Sequence, residues 1–331
     1  MNAVPLTLQT LYADLVQQAH AGLPDLGSIY VQTQKGAEYL YANRTVGVTR
    51  RHWFIGRADH PEAQAKAEAI RKGSKRAAER RNTVRILRSQ GLPAPSAEFG
   101  RVLDALADAG LFRDAVLVGT AAYQCYSALA GVFLPSAALM TQDADLATAS
   151  LAISADEPGD TMHTILKRAD PTFAALPGLK PQAPPSNFRS ASGFVVDLLI
   201  TQRTRNDLNP MPLKALAAGA APLQHLRWLM ENPVHAVALH GPGIPVRVPA
   251  PARYAAHKLI VAQMRGGGDA GKRQKDLVQA KALIEALQKS DPWAIRDAVD
   301  DAKSQGKEGW ARLIDRSLKE LNLDAALLAE R

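Results

Sequence analysis

The chain has 331 residues, of which 47% are hydrophobic and 22% are charged. These proportions are ordinary for a folded protein and exclude disorder over the whole chain. The length is ample for two domains, because single cores rarely grow beyond about 250 to 300 residues. The formal net charge of +8 favours a polyanionic partner such as a nucleic acid.

The chain contains a single cysteine, Cys125, which excludes an internal disulfide and a zinc site built from several cysteines. No run of about 18 apolar residues is present. The first residues, MNAVPLTLQTLYADLV, lack the basic start and apolar block of a secretory signal. We therefore expect a cytoplasmic protein with no membrane partner, and its oligomeric state stays open.

The segment SIYVQTQKGAEYLYANRTVGVTRRHWFIG alternates aromatic or β-branched residues with polar ones. Lys35-Gly36 and Asn43-Arg44 stand where turns would fall, so the pattern predicts a three-stranded antiparallel meander. Small sheets of this kind lie against nucleic acid in some proteins and serve as packing platforms in others.

A long basic helix is predicted next, in PEAQAKAEAIRKGSKRAAERRNTVRILRSQG, which has Pro61 near its start and Gly91 at its end. Between Lys66 and Arg88 it has nine basic and two acidic residues. The candidate nucleic-acid-binding residues are Arg76, Arg80 and Arg81. A solvated helical face with no partner explains the same charge equally well.

Three units are predicted along the chain: the meander with the basic helix (1–95), a mixed α/β unit (96–250) and a helical region (251–331). The Pro-rich LPAPSAE ends the first unit. In the second, helices alternate with strands. The predicted strands are AVLVG, the strand that carries TQDADLATA, SNFRSA, GFVVDLLI, VHAVALH and IPVRVP. The last unit consists of four helices, beginning at Pro251.

The segment GGGDAGKR, from Gly266 to Arg273, matches part of a phosphate-binding loop. It has Arg273 where that motif needs a hydroxyl for Mg²⁺, and it follows a helix instead of a strand. We interpret it as a flexible interhelical loop.

Two carboxylates, Asp143 and Asp145, stand one residue apart in a strand-like stretch. Side chains at this spacing share one face of a strand. Like charges so close repel, so the pair is either solvated at a strand end or holds a hard cation. The context favours a cation site, because Gly119-Thr120 follows an apolar strand upstream and Asp197 lies within the apolar GFVVDLLI downstream.

At these residues the sequence resembles the nucleotidyltransferase superfamily that includes DNA polymerase β. That pattern has an apolar strand, Gly-Ser or Gly-Gly, a helix, an acidic pair on the next strand and a third carboxylate on a later one. Thr120 departs from it by replacing Ser or Gly. A narrower resemblance, to an uncharacterised bacterial branch of the superfamily, rests on GAEYLYANRTVGVTRRHWFIG, PLQHLRWLM, VRVPAPARYAAHKLIVAQMR and KRQKD.

The resemblance implies an α+β fold: a nucleotidyltransferase-type mixed sheet with flanking helices, preceded by the meander and basic helix and followed by the helical region. It also implies that Asp143 and Asp145 ligate two Mg²⁺ (or Mn²⁺) ions. Asp197 would hold the catalytic ion and help to activate the attacking hydroxyl.

The nucleotide would bind nearby. The resemblance places its β and γ phosphates at Gly119 and Thr120 and its triphosphate within reach of Lys258. Lys275 and Asp276 would form an ion pair that braces the same wall.

The expected function is metal-dependent transfer of an NMP from an NTP to an acceptor hydroxyl, with release of pyrophosphate. The basic helix favours RNA as the acceptor, with tRNA in a toxin-like role as one form of it. The alternative is a nucleotidyltransferase fold that has lost catalysis and acts as a regulatory or nucleic-acid-binding module. A plain nucleic-acid-binding protein acting through residues 1–95 is the third hypothesis.

Overall fold

The structure is a computed structural model that describes residues 1–21, 27–135, 148–152, 160–177, 183–204 and 209–323. The helices of these ranges are α1 (Leu6–His20), α2 (Pro61–Ser89), α3 (Ala97–Asp108), α4 (Gly119–Tyr123), α5 (Tyr126–Leu129), α6 (Met162–Ala169), α7 (Leu226–Leu229), α8 (Pro251–Met264), α9 (Ala270–Ser290), α10 (Pro292–Ser304) and α11 (Arg312–Leu321). The strands are β1 (Ser28–Gln34), β2 (Ala37–Val46), β3 (Thr49–Arg57), β4 (Val116–Val118), β5 (Thr148–Ala152), β6 (Ala174–Ala175), β7 (Asn187–Arg189), β8 (Val195–Thr201), β9 (Met211–Leu213), β10 (Ala218–Leu223), β11 (Val234–Ala238) and β12 (Ile244–Val248).

The N-terminal meander is present as predicted, with β2 paired antiparallel to both β1 and β3. Its first turn is at Lys35-Gly36, where both residues have positive φ. The second turn is at Gly47-Val48, so the prediction of a turn at Asn43-Arg44 was wrong.

Side-chain contacts keep Asn43 and Arg44 within the extended strand β2. Asn43 is buried and accepts a hydrogen bond of 2.7 Å from Arg50. The Arg44 guanidinium donates to Asp104 and Asp108 of α3, at 2.8 and 3.0 Å. Turn propensity is a local preference, and these contacts outweigh it.

The basic helix is a single 29-residue helix, α2, as predicted. Its buried residues recur every three or four positions, which places them on one face: Ala63, Ala67, Ile70, Gly73, Ala77, Arg80, Val84 and Leu87. The first half of that face packs on the meander, around Leu40. The second half packs with α1 and β11.

The central sheet has the order β4-β5-β8-β10-β9, and β7 also pairs with β8. Strand β5 runs antiparallel to β4 and parallel to β8. Because the sheet is mixed and helices pack around it, the α+β fold class is confirmed. The region after β12 is helical, as predicted.

One apolar core joins the sheet to the C-terminal helices. Val118 of β4, Leu198 of β8, Leu259 of α8 and Leu283 of α9 all belong to it. The predicted boundary at residue 250 therefore falls inside a continuous core. No helix in the described parts of the chain is long and apolar enough to cross a lipid bilayer.

Two meander glycines allow a matched stability test, because both have positive φ but different surroundings. A Cβ on Gly47 would lie 2.5 Å from the Arg168 carbonyl oxygen, whereas a Cβ on Gly36 would meet nothing within 4 Å. We expect Gly36→Ala to lower the free energy of unfolding by about 1–2 kcal/mol, the strain of a left-handed alanine. Gly47→Ala should cost more, because it adds a clash with backbone, and urea unfolding measures both. Equal losses would contradict the packing of Gly47 on α6.

Candidate active site

A cleft of about 510 Å³ lies where the ends of β4, β8 and β10 meet helix α8. Gly119 borders it from the end of β4 and Leu199 from β8. One side of α8 supplies Tyr254, His257 and Lys258. The cleft therefore brings together two of the residues predicted from sequence to bind nucleotide, Gly119 and Lys258.

Gly119 connects β4 to α4 with φ +64°, a conformation that glycine adopts without strain. Space does not require glycine here, because an added Cβ would meet nothing within 4 Å. Its carbonyl oxygen accepts a hydrogen bond of 3.0 Å from the Tyr254 hydroxyl. That contact fixes the end of β4 against α8. Thr120, the other predicted phosphate-binding residue, follows it and is half-buried.

Lys258 is buried and forms an ion pair of 2.5 Å with Asp276 of α9. The other oxygen of Asp276 lies 3.1 Å from Arg265 Nε. Lys258 and Arg265 both border the cleft. One carboxylate balances two cations, so this wall keeps a net positive charge suited to phosphate.

Lys275 is not the partner that the sequence suggested for Asp276, since the structure pairs that carboxylate with Lys258 and Arg265. Burial, together with the charge of Lys258, lowers the pKa of Lys275 to about 8, and Asp276 partly offsets this. The sequence suggested Lys275 because it is next to Asp276 in the chain. The packing of α8 on α9 instead brings in Lys258 and Arg265, which are farther away in the chain.

His257 also borders the cleft. Burial lowers its pKa to about 3, and the nearby positive charge of Lys258 contributes to the shift. The imidazole is therefore neutral at physiological pH, so it can act as a hydrogen-bonding group but adds no charge to the cleft.

Asp197 lies on β8, two residues before Leu199 and on the same side of the strand. It is half-buried, while its neighbours Val196 and Leu198 are fully buried on the opposite face. Asp197 therefore lies on the face of β8 opposite to these two core residues. Asn187 Nδ2 donates to it at 2.6 Å. Burial raises the pKa of Asp197, while Asn187 and the positive charge of Lys272 act in the opposite direction.

Asp143 and Asp145, the other predicted metal ligands, lie outside the described residues. Strand β5 begins three residues after Asp145, and its Ser150 pairs with Val118 on one side and with Asp197 on the other. The three strands associated with the motif are thus adjacent in one sheet. Within the described ranges, no group of three or more His, Cys, Asp or Glu side chains could hold a metal.

The segment Gly266 to Arg273 was predicted to be a flexible interhelical loop, which is correct only for its first part. Gly267–Asp269 form a short 3-10 helix between α8 and α9, and the residues from Ala270 to Arg273 are the first turn of α9. Sequence reasoning gave it no role in the site. In the structure Gly266 and Asp269 border the cleft, and the positive charge of Lys272 works to lower the pKa of Asp197. Its three consecutive glycines between two helices were a signal for close approach to a ligand.

His225 is a further cleft residue that the sequence did not reveal. It adopts φ +62°, which is rare for a residue other than glycine. Its Nδ1 atom is buried and has no hydrogen-bond partner among the residues described. The ring packs edge-on against Trp310, 4.3 Å between centroids, and borders a second cleft of about 500 Å³ that contains Arg203. Strain combined with an unpaired buried nitrogen is typical of a ligand-binding position.

The predicted nucleic-acid-binding residues do not share one surface. Arg76 and Arg81 are exposed on α2. Arg80 lies on the buried face, where its Nε donates to the Pro242 carbonyl oxygen at 3.1 Å. Arg80 is therefore a contact between α2 and the β11–β12 turn, and Arg76 and Arg81 remain as candidates for an outer surface.

Comparison with protein families gives a match to a family described as Nucleotidyltransferase, over residues 97–304. The chain belongs to this nucleotidyltransferase family. The match spans more than half of the chain and runs from the start of α3 to the end of α10. The superfamily inferred from sequence is confirmed, while the narrower bacterial branch stays a prediction. Comparisons with curated proteins and with solved structures gave no match.

The pKa of Lys275 provides a test of the charge around Asp276. A lysine whose pKa is lowered by folding makes the folded state less stable while it is charged, and stability is regained as pH rises from about 8 towards 10.5. We therefore expect Lys275→Gln to be more stable than the parent protein at pH 7, with the difference narrowing above pH 8. Urea unfolding at pH 7 and pH 10 measures it. Lys281→Gln, an exposed position on α9, is the control. A difference independent of pH would contradict the assignment.

Proposed function

We propose that this nucleotidyltransferase moves an NMP from an NTP to an acceptor hydroxyl of RNA and releases pyrophosphate, with Mg²⁺ or Mn²⁺ as the cofactor. A tRNA acceptor in a toxin-like role is the most specific form of the proposal. The observation that carries it is the adjacency of β4, β5 and β8 beside a cleft bordered by Gly119 and Lys258.

Chain connectivity supports a role for the acidic pair. Asp145 precedes Thr148 by three residues, and extended chain of that length spans about 10 Å. Thr148 pairs with Val195, which is two residues from Asp197. Asp145 is therefore tied by a short segment to the strand that lies beside Asp197.

The transfer forms a bond between the acceptor oxygen and the α-phosphorus and breaks the bond from that phosphorus to the oxygen bridging to the β-phosphate. The leaving pyrophosphate carries the electron pair of the broken bond. Lys258 and Arg265 would attract the departing phosphates, and Gly119 and Thr120 would contact them. Asp197 would help to activate the acceptor hydroxyl by accepting its proton.

The donor chemistry fits the proposed cations. Carboxylate oxygens are hard ligands of the type that Mg²⁺ and Mn²⁺ take in proteins, so Asp143, Asp145 and Asp197 would hold them. The half-buried Asp197 has a raised pKa, which a nearby cation would lower. When bound, such ions neutralise phosphate charge and favour deprotonation of the acceptor hydroxyl.

The reaction is tested with purified protein, each α-labelled NTP, Mg²⁺ or Mn²⁺, and total RNA. We expect label in RNA from at least one NTP, and a decrease of about 10² to 10⁴-fold in Asp197→Asn, the range for losing a positioned proton acceptor. Asp300→Asn is the control, because it removes an exposed carboxylate on α10. Thermal unfolding of both variants shows whether the fold is kept.

Three outcomes separate the alternatives. Label found in protein or in a small molecule would show that this molecule, and not RNA, is the acceptor. Binding of NTP with metal but without transfer would favour a module that has lost catalysis. Equal activity of Asp197→Asn and Asp300→Asn would remove Asp197 from the mechanism.

Contact with RNA through α2 is tested separately. We expect the double variant Arg76→Glu, Arg81→Glu to bind RNA more weakly and with a shallower dependence on salt, because each lost phosphate contact reduces the release of counterions. Filter binding of total tRNA from 50 to 200 mM salt measures both quantities. The charge-matched control is Lys281→Glu, Lys289→Glu on α9, where both lysines are exposed. If the control lost as much affinity, α2 would have no specific part in binding.

A further inference from the structure

The outer side of the meander carries a continuous group of rings, here called the aromatic face: Tyr30, Tyr39, Tyr41, His52 and Phe54. Strand register brings them together, because Tyr41 of β2 pairs with Tyr30 of β1 and with Phe54 of β3. The opposite side of the sheet contains Leu40, which packs against α2. The aromatic face therefore points away from the protein core.

The rings contact one another across all three strands. Tyr30 stacks on Tyr41 with 5.6 Å between ring centroids, and Tyr41 meets Phe54 edge-on at 5.4 Å. Tyr39 lies 6.1 Å from Phe54. His52 lies 5.9 Å from Tyr30, whose hydroxyl is 2.9 Å from His52 Nδ1. These contacts hold the rings as a preformed surface.

This surface is accessible. Phe54 is 62% exposed and His52 is also exposed. The three tyrosines are half-buried, with part of each ring covered by its neighbours. Exposed large apolar side chains that occur singly need no explanation, whereas a contiguous group marks an interaction surface.

The charge of the meander complements a polyanion. Its strands contain four arginines and one acidic residue, Glu38. Three of these arginines are paired with carboxylates: Arg44 and Arg51 with Asp108 of α3, and Arg57 with Asp59. Arg50 shares the side of β3 that carries His52 and Phe54, and it donates to the neutral Asn43 side chain. The positive charge of Arg50 therefore lies beside the exposed rings, and its contact with Asn43 does not neutralise it.

We propose that the aromatic face binds single-stranded RNA, with unpaired bases stacked on Phe54, Tyr30 and Tyr41 and phosphates near Arg50. Flat exposed rings match the faces of unpaired bases, which a duplex keeps stacked inside. Tyrosine hydroxyls and the exposed Gln32 and Gln34 provide partners for ribose 2′-hydroxyls. A second copy of the chain is a poorer partner, because pairing two such faces would bring like charges together.

The aromatic face is distinct from the cleft. It is also distinct from the exposed side of α2, because α2 packs on the opposite side of the meander. RNA held on the aromatic face would increase the local concentration of acceptor without taking part in the chemistry. The test needs neither NTP nor metal, so its result is independent of the proposed transfer reaction.

The experiment is fluorescence anisotropy of the full chain with a labelled 12-nucleotide oligo-U. We expect Phe54→Ala to weaken binding by about tenfold, within the effect of one lost stacking contact. Its salt dependence should stay unchanged, whereas Arg50→Gln should lower the salt slope by about one. Tyr30→Ala is a second variant. The control is Trp293→Ala, because Trp293 is 67% exposed on α10.

Several results would overturn the proposal. Equal affinity of the parent protein and Phe54→Ala would do so, as would an equal loss in Trp293→Ala. Duplex RNA or oligo-dT bound as tightly as oligo-U would reject single-stranded RNA as the ligand. A dimer in analytical ultracentrifugation that Phe54→Ala dissociates would assign the face to self-association. Oligo-U binding by a protein that transfers no nucleotide would support this inference while contradicting the proposed function.

Discussion

A carboxylate buried between two cations fixes the wall of the cleft. Asp276 on α9 is 3% exposed and contacts Lys258, in the middle of α8, and Arg265, just beyond the end of that helix. Breaking a buried pair of this kind usually costs about 3–5 kcal/mol, because the remaining charge is left without a partner. The two helices therefore have one favoured relative position. The same contact keeps two cations at the border of the cleft.

Two further contacts extend this arrangement to the sheet. The Tyr254 hydroxyl lies 3.0 Å from the Gly119 carbonyl oxygen and 2.9 Å from the Gln279 amide oxygen, so it links the end of β4 to both helices. Burial raises the pKa of this hydroxyl, which therefore stays neutral. The positive charge of Lys272, also on α9, works to lower the pKa of Asp197. The turn and the basic wall are thus positioned by α8 and α9 together.

Local patterns predicted much of the fold, because the meander, α2, β8 and the C-terminal helices each have a clear periodicity. The second meander turn could not be predicted in this way, since Arg44 is held in β2 by Asp104 and Asp108, some 60 residues away. Arg80 did carry a local signal: it falls on the apolar spacing that includes Ala77 and Val84. The partners of Asp276 depend on how α8 packs on α9, which no local pattern encodes. Lys258 was identified only through the family resemblance.

The unbroken core has a consequence for how such a protein can change. Val118, Leu259 and Leu283 belong to one apolar cluster, although they come from both sides of residue 250. The part of the chain after residue 250 is therefore not an interchangeable appendage. Recombination at that point with a distant relative would remove Lys258, Arg265 and Asp276 together and leave the sheet facing unmatched side chains. Evolution of this protein should accordingly conserve the sheet and its helices as a single inherited unit.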